Sequence, residues 1–149
     1  INSAALSNPK LITEVAKRFG SQCMVLAIDT KFVENKHKVF SNGGKIETEK
    51  ELFSWAREVE NLGAGEILLT SMNTDGTKAG FAIDITRTLS GLINIPVIAS
   101  GGAGTMQHFE DVFTETKATG ALAASIFHFN EIGIPELKNY LKSKNLPIR

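Results

Sequence analysis

The feature that most constrains the fold is an alternation between short apolar runs and segments with helical spacing. Four apolar runs, each too short for a helix, occupy residues 24–28, 67–69, 96–99 and 121–124. Runs of this length, bounded by small or polar residues, are typical of buried strands. Strands that alternate with helices build a parallel sheet covered by helices. The sequence therefore predicts an α/β fold, and we expect residues 1–149 to form a single domain.

End signals mark two of the predicted helices. One is expected over residues 9–19, with Asn8 as its N-cap and Gly20 at its C-terminal end. Its inward-facing residues should be Leu11, Ile12, Val15, Ala16 and Phe19. The other helix follows a capping box formed by Thr48 and Glu51 and ends at Gly63. Its apolar residues, which recur at helical intervals, are Leu52, Trp55, Ala56, Val59 and Leu62.

The remaining segments are less strongly patterned. Weaker helical spacing covers residues 85–93 and 106–113, and a last helix is expected over residues 135–141. Residues 31–47 fit neither period, and the pair Gly43-Gly44 indicates a turn within them. We interpret this stretch as a hairpin that follows the first strand. Insertions after the carboxyl end of a strand often carry substrate contacts in parallel α/β proteins.

Composition narrows the range of partners. Of the 149 residues, 42% are hydrophobic, so a packed core is feasible. Lys plus Arg number 16 and Asp plus Glu also number 16, so no net charge attracts nucleic acid or an anionic membrane. No apolar stretch approaches a membrane span, and we expect the protein in the cytoplasm. Cys23 is the single cysteine, which excludes an internal disulfide, and it is predicted to be a small core residue.

Each apolar run is followed by polar residues or glycines that are able to bind a ligand or transfer a proton. The first is followed by Asp29, the second by Thr70 with Asp75 and Gly76 beyond it, the third by Ser100-Gly101-Gly102, and the fourth by Ser125. Because the carboxyl ends of parallel strands share one edge, we expect these residues to lie on the same rim.

Two groups on this rim suggest binding of an anion. Residues 101–104, Gly-Gly-Ala-Gly, follow a strand and precede a helix, so their N–H groups are accessible to an anion. Ala124 and Ser125 follow the next strand, and adjacent positions of this kind form the recurrent phosphate site of parallel barrels. Glycines before a helix also make tight turns without any ligand. The pairing of the glycines with Asp75-Gly76 and Ala124-Ser125 favours the phosphate site.

Asp29 is the candidate for proton transfer. A carboxyl group that closes an apolar strand can have a raised pKa, which suits proton transfer near neutral pH. The alternative is that Asp29 caps a turn or pairs with Lys31. One carboxylate cannot be both acid and base in a single geometry, so a catalytic Asp29 needs a partner, which we do not expect in this chain.

Other polar residues give weaker signals. His37, His108 and His128 show no metal-site spacing, and we expect structural or solvated roles for them and neither a metal nor a cofactor. Lys78 and Arg87 are able to contact an anionic substrate, but isolated basic residues are usually solvated.

Several of these segments together resemble a known family, the cyclase subunit of imidazole glycerol phosphate synthase. The resemblance is carried by GAGEILLTSM at residues 63–72, DGTK at 75–78, IPVIASGGAGTMQHF at 95–109 and ALAASIFHF at 121–129. It covers the whole chain and implies a (β/α)₈ barrel of the TIM type. The chain would be its C-terminal half, which starts with the end of strand four at residues 1–5 and continues through strands five to eight and helix eight.

The family resemblance also implies an activity. Ammonia from a glutaminase partner would react with a phosphoribulosyl-formimino aminoimidazole carboxamide ribonucleotide to give imidazole glycerol phosphate and an aminoimidazole carboxamide ribonucleotide. Asp29 matches the family's strand-five catalytic aspartate, usually assigned as a general acid. Thr70 matches a residue that lines the substrate. The positions that match phosphate contacts are Asn2 and Ser3 for one phosphate, and Asp75, Gly76, Gly102, Ala124 and Ser125 for the other.

The sequence departs from the family pattern at Asn73, Thr74 and Ala82, which puts fine substrate contacts in doubt. The family's other catalytic aspartate ends strand one, which lies outside this chain, so we predict that the chain alone does not catalyse cyclisation. We hypothesise that its open barrel edges pair with another copy or with the rest of a longer enzyme. The alternatives are a paralogue that feeds ammonia to another phosphorylated acceptor and a non-catalytic half-barrel that binds phosphate.

Overall fold

The computed structural model describes residues 1–149, and its centre is one six-stranded sheet. Along the chain the strands are β1 (Val25–Val33), β2 (Lys36–Ser41), β3 (Ile46–Glu51), β4 (Glu66–Ser71), β5 (Val97–Ser100) and β6 (Gly120–Leu122). Their order in the sheet is β3-β2-β1-β4-β5-β6. The pairs β1-β4, β4-β5 and β5-β6 are parallel, so the predicted α/β fold with a parallel sheet is confirmed.

Seven helices precede, connect or follow the parallel strands. They are α1 (Ser3–Ser7), α2 (Lys10–Phe19), α3 (Leu52–Leu62), α4 (Ile83–Leu92), α5 (Met106–Glu115), α6 (Ser125–His128) and α7 (Ile134–Ser143). A 3₁₀ turn, Ser21–Cys23, leads into β1. The longest helix has eleven residues, and none has the length and hydropathy needed to cross a membrane.

The two faces of the sheet differ in what covers them. Side chains alternate along a strand, so Leu26 and Ile28 of β1 and Ile67 and Leu69 of β4 point to one face, where all four are buried. Trp55 and the other apolar residues of α3 belong to the same core cluster. This burial supplies the main driving force for the half of the chain around α2, α3 and α4. The second face carries the partly exposed residues of the strands.

The predicted hairpin after the first strand is confirmed. Strand β1 continues beyond its apolar run and pairs antiparallel with β2, and β2 pairs antiparallel with β3. The tip between β2 and β3 contains Asn42, Gly43 and Gly44, whose φ angles are 54°, 65° and 80°. Three consecutive residues in the left-handed region are tolerated here because two of them are glycine.

Two of the predicted helix caps are wrong in detail. Asn8 is the C-cap of α1, and its side chain makes no capping bond to α2, whose N-cap is Pro9. Thr48 lies within β3 and donates its hydroxyl to the carbonyl of Val39 at 2.8 Å. The N-cap of α3 is Glu51, whose carboxylate accepts the N–H groups of Phe53 and Ser54. The predicted end of α3 is confirmed, because Gly63 is left-handed with φ 106°.

Three predicted environments are corrected by the structure. Phe19, expected to face inward, is 56% exposed in the last turn of α2, with the guanidinium of Arg18 over its ring. Cys23, expected in the core, is exposed because the 3₁₀ turn precedes the buried strand. Ser125, expected at a strand end, opens α6, because β6 stops at Leu122.

Candidate functional site

Four side chains form a row across the carboxyl ends of the parallel strands. Asp29 is in register with Thr70, Thr70 with Ser100, and Ser100 with Leu122. Residues in register on neighbouring parallel strands point to the same face of the sheet. This face is the one that the helices leave uncovered. The predicted rim is therefore present, with Asp29 near one end of the row and the glycine run directly after Ser100.

Asn2 holds the carboxylate of Asp29. Its Nδ2 donates to Oδ2 of Asp29 at 3.0 Å and to the backbone carbonyl of Phe40 at 3.3 Å. The Oδ1 atom of Asn2 is buried and has no hydrogen-bond partner. Ile1 brings Asn2 to this position, because its carbonyl accepts the N–H of Ala27 and its amino group donates to the carbonyl of Val25. Residue 1 thus lies along the edge of β1.

Burial raises the pKa of the Asp29 carboxyl above its ordinary value. The hydrogen bond from Asn2 favours the charged form and lowers this pKa, and the negative charge of Asp75 raises it further. Because burial is the largest of the three effects, the net shift is upward. A carboxyl group with a raised pKa retains its proton to higher pH and is a better proton donor near neutrality.

A small cavity of about 260 Å³ adjoins Asp29; we call it the acid cavity. Its lining residues come from β1, from the hairpin tip, from β4 and from the segment after β4: Asp29, Gly43, Gly44, Thr70, Met72 and Asp75. The hairpin tip is tethered from the start of α1, because the N–H of Asn42 donates to Oγ of Ser3 at 2.8 Å. The predicted residues Asn2 and Ser3 therefore reach the hairpin that borders the acid.

A second cavity, of about 190 Å³, lies at the other end of the row; we call it the anion cavity. Its lining consists of residues 75, 76 and 78, residues 100–103 and residues 122–125. Eight of its lining residues have backbone N–H groups that donate to no acceptor within the protein: Gly76, Lys78, Gly101, Gly102, Ala103, Ala123, Ala124 and Ser125. Buried or partly buried N–H groups normally have partners, and converging free N–H groups bind anions. Four of these eight, Gly76, Gly102, Ala124 and Ser125, are positions predicted to contact phosphate.

Close backbone contacts shape the anion cavity. The N–H of Gly80 donates to the carbonyl of Gly102 at 2.8 Å, and Oγ1 of Thr74 donates to the carbonyl of Gly101 at 3.1 Å. A Cβ at Gly102 would lie 2.0 Å from the carbonyl oxygen of Gly80, and its φ is 103°. Glycine is required at this position both by the backbone angle and by the approach of the segment after β4.

The two cavities are neighbours, because Asp75 lines both of them. A single elongated ligand is therefore able to contact the Asp29 carboxyl and the free N–H groups together. The structure brings every predicted site residue to this rim. Asn2, Ser3 and Asp29 lie on the β1 side, Thr70 and Asp75 lie in the middle, and Gly76, Gly102, Ala124 and Ser125 surround the anion cavity.

Sequence reasoning named His108 and Lys78 but did not identify the contacts that they make at the rim. His108 was expected to be structural or solvated, and it is structural: its Nδ1 accepts the N–H groups of Gly104 and Thr105 and fixes the end of the glycine run. Its position in the first turn of a helix was a usable signal. Lys78 lines the anion cavity and forms an ion pair with Glu131, 53 residues away in the chain. A local sequence pattern does not predict a contact over this separation.

The three departures from the family pattern share one location. Asn73, Thr74 and Ala82 all line a further cavity of about 580 Å³ beside the hairpin. There Oδ1 of Asn73 accepts the N–H of Phe32 at 2.8 Å. None of the three departures is a lining residue of the acid cavity or the anion cavity, but Thr74 contacts the anion cavity from outside through its hydrogen bond to the carbonyl of Gly101.

The chain is similar in sequence to known proteins of histidine biosynthesis. The family model described as "Histidine biosynthesis protein" matches residues 1–133. The imidazole glycerol phosphate synthase subunits HisF of Campylobacter concisus and Phocaeicola vulgatus are each 58% identical over 149 residues, which are 100% of this chain and 59% of each relative. The corresponding subunit of Cytophaga hutchinsonii is 56% identical over the same 149 residues, again 59% of its length. The chain thus spans about 59% of the length of these relatives.

Proposed function

Because the chain belongs to the histidine biosynthesis protein family, we propose that it supplies the C-terminal half of a cyclase of the imidazole glycerol phosphate synthase type. The family has a (β/α)₈ barrel, and the parallel strands β1, β4, β5 and β6 follow one another in the order that half of such a barrel requires. The predicted fold class is therefore confirmed, and the activity remains our proposal.

One observation carries this proposal. Asp29 and the free N–H groups of the anion cavity lie at the same edge of the sheet, in cavities that share Asp75. A substrate anchored by a phosphate group in the anion cavity would extend along the row of strand ends toward the Asp29 carboxyl. Holding a reactant in one orientation beside a proton donor lowers the entropic part of the barrier.

The proposed reaction joins ammonia to a phosphoribulosyl-formimino aminoimidazole carboxamide ribonucleotide. The products are imidazole glycerol phosphate and an aminoimidazole carboxamide ribonucleotide. In this scheme Asp29 is the general acid, and its raised pKa favours the protonated form that donates. Asn2 orients the carboxyl through Oδ2. Thr70 lies next to Asp29 in the row and would contact the middle of the substrate.

The two phosphate groups of the substrate would bind at opposite ends of the row. Gly76, Gly102, Ala124 and Ser125 would hold one through their free N–H groups, with Asp75 beside them. Asn2 and Ser3 would contact the other near the hairpin. Both N–H bonds of the Asn2 side-chain amide already have acceptors within the protein. Asn2 would therefore donate to the phosphate through its backbone N–H group.

Cyclisation also needs a base. The only other carboxylate that lines the acid cavity is Asp75, and Asp75 also borders the anion cavity, where the phosphate would bind. We therefore propose that this chain alone is inactive and becomes active within a complete barrel. The ammonia source would be a glutaminase partner, and a biosynthetic role of this kind would place the protein in the cytoplasm.

The test is reconstitution. The chain is purified alone and together with the part of the Campylobacter concisus relative that precedes the matched region, and both samples receive ammonium and the ribonucleotide substrate. We expect formation of the imidazole product only in the combined sample. Asp29→Asn should reduce that rate by about 10²- to 10⁴-fold, the usual contribution of a general acid.

Glu49→Gln is the matched control, because Glu49 is exposed on β3 and away from both cavities. The proposal fails if the combined sample is folded and inactive, or if Asp29→Asn retains the full rate. A non-catalytic phosphate-binding protein would instead show a phosphate-dependent rise in melting temperature with no turnover in either sample.

A further inference from the structure

Lys78 is the one cationic side chain that lines the anion cavity, and in this structure its charge is engaged elsewhere. Its Nζ contacts both carboxylate oxygens of Glu131, at 2.6 and 2.7 Å. Glu131 lies after β6, whereas Lys78 lies in the segment after β4. The positive charge that would attract an anion is thus neutralised by an internal carboxylate.

The remaining charge of the lining is negative. Apart from Lys78, the only ionisable side chain that lines the anion cavity is Asp75. Free N–H groups provide partial positive charge, but a phosphate dianion brings two negative charges close to the Asp75 carboxylate. An ammonium group that leaves Glu131 and turns toward the cavity would offset this repulsion.

The backbone of Lys78 is fixed, whereas its side chain is free to turn. Its φ is 57°, in the left-handed region. A Cβ at Gly104 would lie 2.3 Å from the carbonyl oxygen of Lys78 and 2.7 Å from its Cβ, so the main chain of Lys78 is packed against the glycine run. The stem beyond Cβ is flexible, and the side chains of Lys78 and Glu131 are 44% and 39% exposed.

An ion pair with this exposure is weak, because solvent screens both charges and ordering two long side chains costs entropy. A hydrogen bond from an ammonium group to a phosphate that is already held by several N–H groups is stronger. The exchange of one partner for the other is therefore favourable once an anion occupies the cavity.

We propose that Lys78 exchanges the Glu131 carboxylate for the phosphate of the bound ligand, and that Glu131 thereby sets the affinity of the cavity for phosphate. The inference rests on the anion cavity of the proposed function and adds two residues to it. Glu131 acts as a competitor for Lys78 when the cavity is empty. It is a determinant of affinity and does not touch the ligand.

The experiment measures binding of inorganic phosphate by calorimetry to the protein that carries this chain. Four forms are compared: the unmodified protein, Lys78→Gln, Glu131→Gln and the double variant. Removing the competitor should tighten phosphate binding in Glu131→Gln by about two- to fivefold, the range of an exposed ion pair. Lys78→Gln should weaken binding by about tenfold, the loss of a charge-assisted hydrogen bond. The double variant should bind like Lys78→Gln, because Glu131 acts only through Lys78.

Glu58→Gln is the matched control. The ion pair of Lys50 with Glu58 has the same 2.6 Å length and similar exposure, 36% and 42%, but lies away from the anion cavity. This variant should leave the phosphate affinity unchanged. A melting curve for each form checks that it is folded, and Lys78→Arg should restore most of the affinity lost in Lys78→Gln.

The inference is overturned if Glu131→Gln binds phosphate no more tightly than the unmodified protein, if the double variant differs from Lys78→Gln, or if no phosphate binds. Turnover in the reconstitution assay is judged separately. Tighter phosphate binding by Glu131→Gln without turnover would contradict the proposed cyclase activity and support the exchange of partners by Lys78. Turnover together with an unchanged phosphate affinity of Glu131→Gln would support the cyclase activity and contradict the exchange.

Discussion

The Nδ2 atom of Asn2 donates to Oδ2 of Asp29 at 3.0 Å, across 27 residues of chain. This bond joins the first residues of the chain to the carboxyl end of β1 and fixes one oxygen of the carboxyl. Oδ1 of Asp29 makes no hydrogen bond within the protein. The free oxygen is the atom that is able to exchange a proton with a ligand in the acid cavity.

Asn2→Ala should raise the pKa of Asp29. The amide hydrogen bond stabilises the charged carboxylate and lowers this pKa, so its loss leaves burial and the Asp75 charge unopposed. Carboxyl ¹³C NMR during a pH titration measures the shift directly. Ser3→Ala is the control, because it removes the tether to Asn42 without touching Asp29. A titration of Asp29 that is identical in the unmodified protein and in Asn2→Ala would refute the positioning role.

Asp29→Asn should stabilise the fold at neutral pH while it slows the proposed reaction. The pKa of Asp29 in the folded state is raised above the unfolded-state value of 3.8. The contribution of this carboxyl group to the free energy of unfolding is therefore fully present only at pH values below that unfolded-state pKa. That contribution is lost as the pH rises through the folded-state pKa. The free energy of unfolding of Asp29→Asn, measured in urea, should therefore exceed that of the unmodified protein more at pH 7 than at about pH 3.5.

The control for the urea series is again Glu49→Gln, an exposed carboxylate whose removal should change the pH dependence little. An equal difference between Asp29→Asn and the unmodified protein at both pH values would show that burial of the carboxylate does not penalise the folded state.

Gly102→Ala should destabilise the protein by about 2 kcal/mol or more, because an L residue at positive φ is strained and its Cβ meets a carbonyl oxygen. The added carbon would lie 2.0 Å from the oxygen of Gly80, so one wall of the anion cavity must move. We expect phosphate binding to be lost as well, which calorimetry would detect.

Gly91→Ala is the comparison for Gly102→Ala. Gly91 lies within α4, has no positive φ, and a Cβ added there would meet no heavy atom within 4 Å. Alanine there should stabilise the protein by about 0.5–1 kcal/mol, the usual helix preference over glycine. Chemical denaturation of both variants checks the pair, and similar effects at the two sites would contradict the packing of Gly102.

Glu51→Ala should cost about 1 kcal/mol of stability, the typical value of an N-cap. The carboxylate of Glu51 accepts the N–H groups of Phe53 and Ser54, each at 3.1 Å. Glu49→Ala removes the same charge two residues earlier, where the side chain is exposed and makes no hydrogen bond, and should cost much less. Equal melting temperatures for the two variants would argue against Glu51 as the cap.

Prediction from the sequence succeeded where the signal was local and periodic. The apolar runs before Asp29 and Thr70 identified β1 and β4, and the left-handed Gly63 closed α3 as expected. It failed where neighbouring elements compete for a residue. Asn8 was expected to cap α2, but it is the C-cap of α1. Thr48 was expected to cap α3, but it lies within β3, where its hydroxyl donates to the carbonyl of Val39. Exposure of Cys23 also depended on where the strand begins.

The sequence by itself determined the parallel α/β architecture and the position of Asp29 and Gly102 at one rim, because side-chain periodicity sets each element and parallel strands end at a common edge. Only the tertiary structure decided which groups meet there. The bond of Asn2 to Asp29 and the ion pair of Lys78 with Glu131 join residues far apart in the chain. Such contacts depend on how whole elements pack, and no local spacing encodes them.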